Sequence, residues 1–348
     1  MSGQGSNPTP RATILDVAAA AGVSPSTVSN ALNDRGGVSD ATADRIKRAA
    51  AQLGYRANPA ASRLRSGRTG ALGLVLPTIA EPGYAAAIYY YSRFTGAAAQ
   101  AAFARGYALT LVPSLDPENE AHRLPLDGVI VADPPAGDIG LNAFRSAGLP
   151  VVTIEPDPSN PDDPWWAGAD TLANTRTVLD HLAASGSRRI ALVGRSNHAW
   201  TTATDHAYDR WCREQNLEPL KVEVSITHND TTAADRIRKL LTSPDPPDGI
   251  FAAPEWFATA AVRTARALGL GVPEQLRVAA GSDGDRAYDC DPPVTALDLH
   301  PAEVATAAVE LLVARVEGHE VMHPRIVHAS LNVRASTNPS AGGGQVPS

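Results

Sequence analysis

Between residues 12 and 55 apolar positions recur at three- and four-residue intervals in three short blocks. Thr13 reads as an N-cap with Asp16 three residues on, and Ile14, Val17, Ala18 and Ala21 share one face before Gly22 stops the helix. Ser24 opens a second block with Pro25 at the first helical position, where a missing N–H costs nothing, and Val28, Ala31 and Leu32 form its inward stripe. Asn33 to Gly37 reads as a loop. Ser39 starts a third helix whose apolar positions Ala43, Ile46, Ala50 and Leu53 run to Gly54. Three short helices, the second beginning about three residues after the first ends, predict a helix-turn-helix.

Residues 58–69 break this pattern. An Asn-Pro start, then Ala60, Ala61, Ser62, Arg63, Leu64 and Arg65, closed by Ser66 and Gly67, allows barely two turns of helix, too short to stand alone in water. We read it as a linker that folds on binding. From Gly70 onward, continuous apolar runs alternate with helical segments. The runs are Ala71–Leu76, Ala108–Val112, Gly128–Ala132, Pro150–Ile154, Arg189–Gly194, Gly249–Ala253, Leu276–Gly281 and Val294–Leu299. Strands that are apolar throughout are buried on both faces, and the helices Ala85–Arg105, Thr171–Ser185, Phe257–Leu268 and Pro301–Glu317 supply crossovers, so a parallel α/β architecture is expected. The Pro- and Asp-rich stretch Glu155–Pro164 interrupts the series near its middle and suggests two lobes with a cleft.

With 348 residues, 43% of them hydrophobic, the chain has material for a large core, and disorder as its main state is excluded. Charge divides it unevenly. Residues 1–69 hold nine Lys or Arg against four acids, a net +5, whereas the remainder carries −12. A small basic module on a large acidic body is the layout of a chain that meets phosphate at one end. Cys212 and Cys290 are the only cysteines, too few for a disulfide framework, and no signal-like or membrane-length apolar run occurs, so a soluble cytoplasmic protein is expected. Residues 1–11 and 338–348 are polar and read as flexible tails.

The strongest chemical signal lies in the second helix. Its inward positions pack, while Pro25, Ser26, Ser29, Asn30 and Asn33 point outward with small polar groups suited to base edges or phosphate. Leu15-Asp16-Val17-Ala18, Ala21-Gly22-Val23-Ser24, Thr27-Val28-Ser29, Val38-Ser39 and Gly54-Tyr55 together resemble the DNA-binding headpiece of the LacI/GalR family of bacterial transcriptional regulators. Asn58-Pro59-Ala60-Ala61 to Leu64 is similar to that family's hinge helix, whose leucine wedges into the minor groove. Asp127-Gly128-Val129-Ile130, His181-Leu182 with Arg188-Arg189-Ile190, Val272-Pro273, Gly281-Ser282-Asp283 and the ending Leu331 to Thr337 resemble further landmarks in family order.

The resemblance implies an all-α headpiece (12–57), a hinge (58–69) and a two-lobed, periplasmic-binding-protein-like α/β core (70–337). It further implies a homodimer, most simply a repressor, on a pseudo-palindromic double-stranded operator, with DNA affinity set by a small molecule, a sugar among the candidates, in the interlobe cleft. Thr13, Ser24, Thr27, Tyr55, Asn58, Ala61, Leu64 and Arg65 join the outward residues above as the expected DNA-contacting set. Asn30 stands where most members carry arginine, which favours adenine over guanine. The effector-binding arginine is replaced by Thr204 in Thr204-x-x-Ala207-Tyr208, and the usual aspartate by Glu255. The expected cleft set is Tyr84, Trp166, Asp170, Trp200, Thr204, Glu255, Trp256 and Asp283, an aromatic and acidic lining that suits a neutral or cationic ligand.

Two alternatives stand beside this reading. His319-Glu320-Val321-Met322-His323 matches the H-E-x-x-H zinc-protease pattern, which needs both histidines on one helix face, yet Gly318 and Pro324 flank it. No phosphate loop or nucleophile elbow is present, so no catalysis, metal or cofactor is expected. A DNA-binding regulator governed by a protein partner is the remaining alternative. Tyr89, Tyr90 and Tyr91, at consecutive helical positions, are assigned to core and dimer packing, and Arg63, Arg65 and Arg68 to phosphate or minor-groove contact.

Overall fold

The computed structural model describes residues 12–32, 37–55, 68–77, 88–112, 124–194, 198–224 and 230–338. The chain divides into two compact units between Thr69 and Gly70. In the first, α1 (Ile14–Ala21), α2 (Pro25–Leu32) and α3 (Asp40–Gln52) close around Val17, Val28 and Ile46, which are fully buried. Gly22 ends α1 with φ 62°, a left-handed conformation that glycine adopts without a Cβ penalty, and this lets α2 turn away at once. The third helix differs from expectation at its end. Leu53 is its C-cap and is 40% exposed, and Ala49 takes the inward place instead.

The second unit contains two six-stranded sheets. The first has the order β11-β5-β4-β3-β1-β2, with β1 (Ala71–Val75), β2 (Ala108–Val112), β3 (Gly128–Ala132), β4 (Val151–Ile154), β5 (Trp166–Ala169) and β11 (Arg325–Val327), all parallel. Helices α4 (Ile88–Ala104) and α11 (Pro301–Val316) pack on one face against Leu72, Leu74, Ile130 and Val152, and α5 (Ile139–Ser146) packs on the other against Val129, Val131 and Val151. The second sheet runs β12-β10-β9-β8-β6-β7, with β6 (Ile190–Gly194), β7 (Leu220–Glu223), β8 (Gly249–Ala253), β9 (Arg277–Ala280), β10 (Thr295–Asp298) and an antiparallel edge, β12 (Ser330–Asn332). Here α8 (Asp230–Leu241), α9 (Glu255–Ala267) and the short α10 (Asp285–Tyr288) cover one face, and α6 (Thr171–Ala184) and α7 (Ala199–Glu214) the other. Every strand predicted from a continuous apolar run is present; helices cover both faces of most of them, whereas β2 is an apolar edge strand left exposed at Ala108, Thr110 and Leu111.

The stretch 155–164 does not separate the lobes. It joins β4 to β5 inside the first sheet, where Arg145 holds Asp157 at 2.5 Å and Asp163 at 3.2 Å. The chain passes between sheets at three other places: between β5 and α6, between β10 and α11, and between β11 and β12. Three adjacent crossings make a hinge whose clefts open at the strand ends.

The H-E-x-x-H segment fails its geometric requirement. α11 stops at Val316, Gly318 turns left-handed at φ 81°, and residues 319–323 belong to no helix before β11 begins. Among the described residues no cluster of three or more His, Cys, Asp or Glu could hold a metal. No described helix is long and apolar enough to cross a membrane.

Candidate nucleic-acid interface and ligand cleft

In the first unit α2 turns its apolar edge inward and leaves Ser24, Pro25, Ser26 and Asn30 exposed, with Thr27 and Ser29 half-buried. Ser24 Oγ accepts the Thr27 N–H at 3.2 Å and lies 2.7 Å from Ser26 Oγ and 2.8 Å from Thr27 Oγ1. One hydroxyl thus caps the helix and fixes the rotamers of two neighbours. Such a short polar ridge at a helix N-terminus reaches a groove floor or a phosphate without a bulky side chain in the way. Thr13 forms a capping box, its N–H donating to Asp16 Oδ2 at 2.7 Å, and these hydrogen bonds hold the Asp16 carboxyl below the usual range. Tyr55 rests half-buried on the headpiece core and donates its N–H to Ala50 O at 2.9 Å. Lys47 and Arg48 are exposed on α3. Asn33, Asn58, Ala61, Leu64 and Arg65 lie outside the described residues.

In the second unit chemistry gathers where parallel strands end, the place at which α/β sheets open their crevices. Asp133 follows β3 and Glu155 follows β4, each in a left-handed conformation (φ 50° and 65°) that non-glycine residues rarely take. Both are buried. Asp133 Oδ1 accepts the Trp200 N–H at 2.7 Å across the lobes, and its carbonyl accepts the His198 Nδ1–H at 3.1 Å when that nitrogen carries the proton. Burial raises the Asp133 carboxyl, with His198 opposing. Glu155 accepts the Ala169 N–H at 3.2 Å and the Thr171 hydroxyl at 3.3 Å, yet burial, helped by Asp133, pushes it up to about 8. Gly168 is required beside it, since a Cβ there would sit 2.6 Å from Glu155 Oε1. Burial next to the same two acids also raises the Tyr90 hydroxyl.

On the facing lobe Glu255 opens α9, 4% exposed, and Ser282 donates its hydroxyl to Glu255 Oε2 at 2.6 Å. Burial lifts Glu255 to about 7 against that hydrogen bond. Asp283 is committed elsewhere: Arg334 grips it through Nη1–Oδ1 at 2.9 Å and Nη2–Oδ2 at 2.5 Å, and Asn332 adds a bond of 2.8 Å. A cavity of about 570 Å³ lies between Tyr89, Tyr90 and Arg93 of α4 and Asp283, Gly284 and Tyr288 of the other lobe, floored by Asp298–Glu303 at the hinge. A second, of about 390 Å³, lies over β1 and β3 between Pro77, Asp133, Ile139 and His198.

Of the residues expected at the cleft, Trp200, Glu255 and Asp283 come together at the strand ends. Trp200 also covers Gly281, where a Cβ would lie 3.3 Å from its ring. Thr204 is buried and donates its hydroxyl to Trp200 O at 2.9 Å, on the α7 face over β6 and β7. Asp170 is exposed and caps α6 through the Ala173 N–H at 3.0 Å. Trp166 begins β5, half-buried, and Trp256 packs on Phe257 with ring centroids 5.5 Å apart. Tyr84 lies outside the described residues. Tyr89, Tyr90, Asp133, Glu155 and His198 were not expected there. Their signal was position: Asp133 and Glu155 each directly follow a run that the pattern had identified as a strand.

Residues 13–58 match the model for bacterial regulatory proteins of the lacI family, and residues 179–337 match a periplasmic binding protein-like domain. The transcriptional regulator PtxS of Pseudomonas aeruginosa is 30% identical over 339 residues, covering 94% of this chain and 96% of that protein. The sucrose operon repressor of Pediococcus pentosaceus is 27% identical over 312 residues, 87% of this chain and 91% of that one. Among solved structures, a complex of the transcriptional regulator CelR with cellobiose superposes with a TM-score of 0.69 at 26% identity, covering 94% of this chain and all of that one. With a helix-turn-helix unit followed by a two-lobed parallel α/β core, the chain belongs to the lacI family of DNA-binding bacterial regulatory proteins.

Proposed function

We propose that this chain is a cytoplasmic transcriptional repressor that binds a pseudo-palindromic DNA operator as a homodimer and changes its operator affinity when a small molecule occupies the interlobe cleft. The observation that carries the reading is the pairing, in one chain, of an exposed polar helix edge on a basic unit with a hinged core holding a cavity of drug-like size. Ser26 and Asn30 read base edges, Ser24 and Thr27 meet phosphate, and residues 58–69 form the hinge whose Leu64 enters the minor groove. The cellobiose in the CelR complex, and the sucrose operon for which another relative is named, favour a saccharide class of effector. Dimerisation is favoured by α4, whose outward positions Ser92, Gly96, Ala99 and Phe103 run along one face, with Phe103 83% and Leu111 of edge strand β2 59% exposed. No catalytic step is assigned.

Selection of bound duplexes from random DNA, followed by a screen of metabolites for release of the selected duplex, tests the reading. A symmetric site released by one ligand class is expected. Enrichment of no sequence would overturn the DNA-binding role, and a selected site that no metabolite releases would favour control by a protein partner.

A further inference from the structure

The cleft is charged in a lopsided way. The 570 Å³ cavity is walled by four carboxylates (Asp283, Asp285, Asp298 and Glu303) and two guanidiniums, Arg93 and Arg334. Asp283 and Arg334 neutralise each other, and Arg93 lies over the Tyr89 ring with its Nη1 3.0 Å from the Tyr89 hydroxyl. Asp285 is exposed at the cavity, Asp298 Oδ1 accepts the His300 N–H at 2.8 Å, and the His300 ring lies 3.6 Å from Asp298 Oδ2 and 3.9 Å from Glu303 Oε1.

Behind this wall stands Glu255. Ser282 donates to its Oε2 at 2.6 Å, and besides that hydroxyl the hydrogen bond that favours the charged carboxyl is from Glu255's own N–H. Oε1 points at Gly284, 3.2 Å from where a Cβ would be, and Tyr89 closes the same spot at 3.5 Å. Both Gly284 and Tyr89 line the cavity. Arg286 attracts Glu255 and Asp283 repels it, and neither makes a hydrogen bond to it. One side-chain hydroxyl and its own N–H serve this 4% exposed carboxyl, and a ligand N–H that reached Oε1 past Gly284 would add a charge-assisted hydrogen bond in a desolvated place. Tyr89, Tyr90 and Tyr288 offer aromatic surface, which suits both a sugar face and a cation.

Resting on the reading of the core as an effector-controlled one, we propose that its ligand carries a protonated amine among hydroxyl groups, as an amino sugar does, and that Glu255 Oε1 receives the amine. The wall acids Asp285, Asp298 and Glu303 supply the attractive field around it, and phosphorylated or carboxylated sugars are rejected.

The test is calorimetric titration and thermal melting of the full-length protein with matched triplets: glucose, glucosamine and N-acetylglucosamine; galactose, galactosamine and N-acetylgalactosamine; cellobiose, the β-1,4 disaccharide of glucosamine and its diacetylated form. Acetylation keeps the shape and removes the charge. In at least one triplet the free amine is expected to bind about tenfold or more tightly than both partners, as a charge-assisted hydrogen bond provides. Glu255→Gln should bring the three members within about threefold of one another, and Asp285→Asn should narrow the gap in part. Because the triplet comparison needs no variant, it stands even where Glu255→Gln folds poorly. If in every triplet that binds a neutral or acetylated member binds as tightly as its amine, the proposal is overturned and effector control is left intact. Silence from every triplet also overturns it, and release of the operator by some other metabolite then shows that effector control itself survives.

Discussion

Buried polar groups decide behaviour at the residue scale. Tyr208 is fully buried, and its hydroxyl donates to Ile190 O at 2.8 Å while accepting the Leu220 N–H at 3.0 Å, which ties β6 to the edge strand β7. Tyr208→Phe should lower stability by about 1–3 kcal/mol in urea unfolding, since it strands the buried Ile190 carbonyl and the half-buried Leu220 N–H. Glu155 gives a pH signature. Its folded pKa, about 8, lies above its ordinary value, so between roughly pH 4.5 and 8 the native state holds more protons than the unfolded chain, and stability falls as pH rises. Glu155→Gln, which mimics the protonated acid, should flatten the loss of melting temperature between pH 5.5 and 8.5; an unchanged slope would place the titration elsewhere. On the DNA side Asn30→Ala should cost about 1–3 kcal/mol at one symmetric pair of operator positions and relax preference there, read by competition on single-base variants. Sequence reading reached Asn30 and Glu255 through their place in motifs. It passed over Asp133 and Glu155 because an acid after a strand looks like any loop residue until folding buries it.

At the scale of elements, legibility followed burial. Strands β1, β3, β4, β6 and β8 were readable because helices cover both faces and the chain must be apolar throughout. β7, with Leu220 and Val222 turned inward and Lys221 and Glu223 exposed, is an alternating edge strand, and β5 (Trp-Ala-Gly-Ala), β11 (Arg-Ile-Val) and β12 (Ser-Leu-Asn) hold too few large aliphatic side chains to make a continuous run. The lobe boundary was misplaced for the same reason: a Pro-rich loop is conspicuous in sequence, whereas three hinge crossings in extended chain leave no compositional mark. The headpiece offers a clean test of element packing. Ile46 is fully buried between all three helices, and Ile46→Ala should remove about 2–5 kcal/mol, more than so small a unit can spare. Loss of helical signal and of DNA binding is expected, with the melting of the larger unit unchanged. Simultaneous loss of the core transition would mean that the two units do not fold independently.

For the whole molecule, the division of charge into a basic end and an acidic body was legible from counting alone, and it sets how the protein meets DNA. Binding through Lys, Arg and helix amides releases counterions, so operator affinity should fall steeply and linearly on a log–log salt plot. What counting could not show is how the core is wired to that end, because the coupling resides in the difference between open and closed lobes. The contacts that hold the lobes together, Trp200 N–H to Asp133 and Tyr89 beside Gly284, sit at the mouth of the cleft where a ligand would act. The decisive measurement is a thermodynamic box: operator affinity by fluorescence anisotropy with and without the ligand that stabilises the core, and ligand affinity by calorimetry with and without operator. Linkage requires the two ratios to be equal, and a shared change of about 5- to 150-fold is expected. Identical operator affinity with the cleft empty and saturated would contradict control of DNA binding by cleft occupancy.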